Sequence, residues 1–83
     1  MNFEEFCVAY NFAKSRLIVK LTGQLELFNI LNLETDINKK GKISGRVQAL
    51  KADEVKYRAR IAKLEEDYPV YAERLPVFEK AAV

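Results

Sequence analysis

Apolar side chains recur along this 83-residue chain at alternating steps of three and four, the spacing that lines one face of an α-helix. In the first third, Phe3, Cys7, Tyr10, Leu17, Leu21, Phe28 and Leu31 form such a series, interrupted only by Lys14 and Gln24. Phe6, Ala13, Ile18 and Leu25 lie beside it and widen the stripe to the breadth of a core-facing helix. The spacing predicts a helix from about residue 2 to about residue 33, with Asn2 as N-cap and Glu4 and Glu5 at its positive end. A competing pattern runs through the middle. Leu17, Val19, Leu21, Leu25 and Leu27 also alternate, so Thr22-Gly23 could turn a pair of strands. Strands account for Gly23, which costs a helix about 1 kcal/mol relative to Ala, but not for the series on both sides of it. The helix is the preferred reading.

From Glu34 the period stops, and the density of Gly, Asn, Asp and Ser predicts a loop over 34–43. A second series then runs through Val47, Leu50, Tyr57, Ile61, Leu64 and Tyr68, with Glu54 its one polar member. It predicts a helix over about 44–67, which the Tyr68-Pro69 step ends. Pro69 suits the first position of a short C-terminal helix over about 69–75, and Pro76 closes that element. The expected fold is all-α: a single helical domain, 1–83, built as an antiparallel hairpin with a short third helix.

A two-helix hairpin covers each apolar stripe on one side only, so oligomerisation is expected to complete a helical bundle, with a dimer preferred. Leu17, Leu21, Phe28, Leu50, Tyr57, Ile61, Tyr68, Tyr71 and Phe78 are the expected self-association or partner-binding surface. Polar interruptions of the stripes set register or partner number in coiled-coil pairings.

The segment between the helices resembles the first nine positions of an EF-hand calcium loop. Asp36 and Asn38 match positions one and three, Gly41 the glycine at six, Ile43 the apolar eighth residue and Ser44 the ninth. The resemblance implies a helix–loop–helix connection. Lys40 stands at position five, normally a ligand, and Val47 at position twelve, normally the bidentate Glu. One carboxylate among Lys39, Lys40 and Lys42 does not neutralise a divalent ion, so no metal and no cofactor is expected. Local side-chain turns by Asp36 and Asn38, with Gly41 at positive φ, are expected instead.

Charge changes the picture more than overall composition does. The chain carries a net +2, but residues 1–35 hold three basic and four acidic side chains, a net of −1. Residues 36–63 hold nine basic and three acidic, a net of +6, and residues 64–83 hold two basic and five acidic, a net of −3. Such a basic middle attracts phosphate. Lys39, Lys40, Lys42, Arg46, Lys51 and Arg58 are the candidate anion-binding residues, clustered around the start of the second helix, where free N–H groups favour anions. The alternative is a solvated helix face that partly mates with Glu65, Glu66, Asp67, Glu73 and Glu79 of another copy.

The chain has no His, so it supplies no imidazole base and no His-containing zinc site. Its one cysteine, Cys7, sits on the apolar stripe as a small core residue and cannot form an internal disulfide. The acidic pairs at the helix ends lack the separation and desolvation of acid–base catalysis, and Gly23, Gly41 and Gly45 are too dispersed for a phosphate loop. The start, Met1-Asn2-Phe3-Glu4-Glu5, lacks a signal peptide's basic and apolar regions, and no stretch suits a membrane span. The expectation is therefore a cytoplasmic, intracellular protein that is not an enzyme. It is read as a small interaction module (an adaptor, regulator or inhibitor) that binds a protein partner. The alternative is a binder of nucleic acid or a nucleotide through the basic loop and second helix.

Overall fold

Asn2 opens the first helix by accepting the Glu5 N–H on its Oδ1 at 2.8 Å, satisfying one donor that the helix cannot pair internally. In the computed structural model, which describes residues 1–76, this helix, α1, runs unbroken over Phe3–Leu33. Thr22 and Gly23 lie inside it, and no strand occurs among the described residues, so the strand pair is overturned. Packing explains the glycine: a Cβ on Gly23 would stand 3.1 Å from Leu50 Cδ1, tighter than side chains normally tolerate. The helix accepts the glycine because the neighbouring helix runs close beside it.

The connection is only Glu34–Asp36, and the second helix, α2, covers Ile37–Asp67. The loop expected over 34–43 is corrected here: its latter part forms the first two turns of α2. Asp36 supplies the reason, accepting the N–H groups of Asn38 and Lys39 at 2.8 and 3.3 Å and so starting the helix early. Glu34 accepts the N–H groups of Thr35 and Asp36 at 3.1 and 3.0 Å and ties the chain down just before that cap. No described glycine has a positive φ, so Gly41 is an ordinary helical residue and the EF-hand-like segment is not a loop. Ile43, half buried, continues the α2 series one step before Val47.

After Tyr68, whose N–H donates to the Leu64 carbonyl at 3.0 Å, Pro69 opens α3 (Pro69–Arg74). Leu75 follows the helix instead of ending it, and is buried. Phe78, named above in the expected surface, lies outside the described residues.

The two long helices pack side by side and antiparallel, in a body 51 × 19 × 15 Å. Phe6, Tyr10, Ala13 and Leu17 of α1 meet Ile61 and Leu75 in the main core, with Leu27 and Val47 buried as well. At the open end of the hairpin, Phe6 lies 5.7 Å from Tyr10 and from Tyr71 between ring centroids, and Tyr68 stacks on Tyr71 at 5.7 Å. The Arg74 guanidinium sits 3.9 Å above the Phe3 ring, which fastens α3 to the start of α1.

Candidate functional site

The seam between the helices carries one polar layer. Gln24 is buried at 7% exposure, and its Nε2 donates to Glu54 Oε1 at 2.9 Å. Arg58 Nε donates to the other carboxylate oxygen, Oε2, at 2.8 Å. The Gln24 donor first, and then the Arg58 guanidinium, hold the Glu54 carboxyl below its ordinary pKa. One turn along α1, Lys20 pairs with Asp53 at 3.2 Å. Gln24 and Glu54 each interrupt an apolar stripe, and they pair with each other across the seam. The Gln24–Glu54 and Lys20–Asp53 pairs join the helices, and no buried side-chain polar atom among the described residues lacks a hydrogen-bond partner.

The candidate anion-binding residues do not converge. Lys39, Lys42 and Arg46 recur at i, i+3 and i+7, on one side of α2, and all three are exposed. Lys51 and Arg58, seven residues apart, share another edge, roughly 120–140° round the helix from Arg46. Lys51 lies over the Phe28 ring at 5.6 Å, and Arg58 is bound to Glu54. Lys40 is exposed near the turn, close enough, with Lys39, to help lower the pKa of Glu34. That lowering comes first from the Asp36 N–H that Glu34 accepts. The helix N-terminus expected to welcome an anion is already capped by Asp36, an anion of the chain itself. No group of acidic or Cys side chains able to hold a metal occurs among the described residues.

The apolar candidates are placed mainly inside the hairpin. Leu17 and Ile61 are buried in the core, and Leu21, Tyr57, Tyr68 and Tyr71 pack against it half-buried. Leu50 lies against Gly23, while Phe28 remains exposed beside Lys51. Their apolar area is largely covered by contacts within one chain.

What stays uncovered is a different face of α1. Val8, Asn11, Phe12, Ser15, Ile18, Val19, Thr22 and Leu25 are all exposed and all uncharged. Val8 is 72% exposed and Val19 57%. Of the other exposed residues from 8 to 25, only Arg16 carries charge, and it stacks over the Phe12 ring at 5.4 Å. At its N-terminal end this face borders a groove of about 870 Å³ lined by Met1, Val8, Ala9, Phe12 and Leu64 with Glu4, Glu5 and Arg60. The outward side of α2 also carries an exposed uncharged series, Gly45, Gln48, Ala52, Val55, Ala59 and Ala62, but of smaller side chains and flanked by Lys42, Lys56, Lys63 and Glu66. Sequence reading places Ile18 and Leu25 at the margin of the core stripe, assigns Val19 to the competing alternating pattern and names neither Val8 nor Phe12. The available signal was their own series, 8, 12, 15, 19 and 22, which contains no charge.

The antiparallel fold also sorts charge by end. Glu4 and Glu5 join Glu65, Glu66, Asp67 and Glu73 at the open end, with Arg60, Lys63 and Arg74 among them, whereas Lys39, Lys40, Lys42 and Arg46 lie near the turn together with Glu34 and Asp36. The architecture is that of a two-helix hairpin closed by a short third helix, and no described helix is long and apolar enough to cross a membrane. No protein-family model, curated protein or solved structure matches this chain.

Proposed function

We propose that this chain is a non-enzymatic protein-interaction module whose binding surface is the outward face of α1. One observation carries the reading: the exposed, uncharged run from Val8 to Leu25 on a helix whose opposite face is already buried. Outward helix positions are ordinarily charged because they are solvated, and contiguous exposed apolar area marks interaction surfaces. The partner contributes an apolar face of its own, and Arg16, Arg60, Glu4 and Glu5 are the charged groups around the contact.

A second reading, recognition of a phosphate-bearing ligand such as nucleic acid or a nucleotide, draws on Lys39, Lys42 and Arg46. Neither Lys42 nor Arg46 forms an ion pair among the described residues. The self-capped start of α2 and the spread of the other cations weaken it.

Photo-crosslinking in cells separates the two. A benzophenone side chain replacing Val19 is expected to yield discrete protein adducts, of the chain with itself or with another protein. The same group replacing Ala52, outward on α2, is expected to yield none. Absence of protein adducts at Val19, or adducts with nucleic acid from positions near Arg46, would overturn the interaction reading.

A further inference from the structure

We infer that the outward face of α2 lies on an anionic lipid surface, with the helix axis parallel to the bilayer. The inference stands apart from the α1 reading, because it concerns the opposite side of the hairpin and a different chemistry. From Ile37 to Leu64, every exposed charged side chain is a lysine or an arginine. The two acids in that stretch, Asp53 and Glu54, are half-buried and paired, the first with Lys20 and the second with Gln24 and Arg58. Exposed acid begins only beyond this stretch, at Asp36 before the helix and at Glu65, Glu66 and Asp67 at its close. A polyanion is therefore the complementary partner of this face.

The cations stand in rows. Lys40, Lys51 and Arg58 share one side of the outward face, and Lys42, Lys56, Arg60 and Lys63 share the other. Lys39 and Arg46 lie further round, beyond the second row. Between the rows runs an uncharged spine that includes Ile37, Gln48, Ala52, Val55 and Ala59, with Ile37 82% exposed and Val55 67%. Such a spine settles into the headgroup boundary of a membrane while the long side chains on either side reach lipid phosphates. The spine also decides between a bilayer and a nucleic-acid duplex. Reading a groove takes polar side chains between the phosphate contacts, and past Gln48 the spine has none. From Ile37 to Lys63 the face runs about 39 Å along one helix, a length that a flat surface meets throughout and a winding groove does not. A hairpin lying on α2 directs the outward face of α1 away from the bilayer, where a protein can reach it.

Co-sedimentation with vesicles tests the inference. The chain is expected to bind vesicles of about one-third phosphatidylserine in phosphatidylcholine at low salt, to leave them as salt is raised, and to ignore phosphatidylcholine alone. Lys51→Ala/Lys56→Ala, which takes one cation from each row, is expected to weaken binding about thirtyfold with helical dichroism unchanged. Asn11→Glu/Ser15→Glu makes the same charge change on the outward face of α1 and is expected to leave binding within about threefold. The chain has no Trp, so one introduced by Val55→Trp reports its own surroundings. Blue-shifted emission and quenching by brominated lipid are expected for Val55→Trp, and neither for Val19→Trp. No binding at low salt, equal binding to uncharged vesicles, equal losses from the two double variants, or quenching at Val19 instead would overturn the inference. Tighter binding to a DNA duplex than to vesicles at the same salt would also overturn it, in favour of the phosphate-ligand reading. Protein adducts at Val19 bear on the α1 reading alone, so either proposal can fail and leave the other standing.

Discussion

Gln24 and Glu54 meet across the seam at 2.9 Å, pairing the polar interruption of one apolar stripe with that of the other. Because Gln24 is buried, the pair penalises any slip of α2 along α1 that would leave its amide without a partner. Gln24→Ala is expected to cost about 1.5–3 kcal/mol in urea unfolding, the range for a hydrogen bond to a charged group. Gln24→Leu/Glu54→Leu is expected to retain or raise stability while broadening the distribution of oligomers seen by light scattering.

Stability is expected to form a plateau in pH. Glu54 and Glu34 have pKa values below the ordinary glutamate value of 4.5, so each contributes stability that is present above pH 4.5. That contribution is lost as pH falls through the lowered values. Lys63, bonded to Asp67 at 3.1 Å, is raised above 10.5, so its contribution holds below pH 10.5 and is lost as pH rises through the raised value. Thermal melts from pH 2 to 6 are expected to show a shallower acid fall for Glu54→Gln than for the wild type.

Gly41 and Gly45 are helical and have open space where a Cβ would stand. Gly41→Ala and Gly45→Ala are therefore each expected to stabilise the chain by about 0.5–1 kcal/mol in thermal or urea unfolding. A flexible loop with Gly41 at positive φ would give the opposite sign. The measurement thus checks the early start of α2.

Asp36→Ala removes the acceptor of two backbone N–H groups at that start. A loss of about 1 kcal/mol is expected, with faster amide exchange confined to the first turns of α2. Asp36→Asn keeps an acceptor and is expected to cost less.

Phe6 is fully buried and its ring lies within 6.1 Å of those of Tyr10, Tyr68 and Tyr71. Phe6→Ala is expected to cost about 3–5 kcal/mol, a large share of the stability of so short a chain. Near-UV dichroism of the tyrosines is expected to collapse, whereas Val8→Ala, which removes an exposed side chain, is expected to leave it intact.

Much of this architecture was legible without coordinates. The series from Val47 to Tyr68 names the inward side of α2 position by position, because a period of about 3.6 permits only one stripe per face. Asn2 and Pro69 announce helix starts through local chemistry alone. The start of α2 misled because Asn38, Gly41, Ser44 and Gly45 have poor helix propensity individually. Propensities of a few tenths to about 1 kcal/mol per residue yield to a strong cap and a packing surface, and α1 supplies that surface by extending to Leu33.

The candidate site was less legible for a geometric reason. Two sets of apolar residues on α1 share the same helical period, one through Tyr10, Leu17 and Leu27 and another through Val8, Phe12 and Val19. Local sequence determined that α1 is a helix, that α2 carries one apolar stripe, and that charge is segregated along the chain. The placement of α2 and α3 decided which α1 face is buried and which is left outward, because burial depends on a neighbour and no residue encodes its neighbour locally. The antiparallel turn likewise brought Glu4 and Glu5 to the same end as Glu65, Glu66 and Asp67, and set Lys39 and Lys40 beside Glu34 at the other.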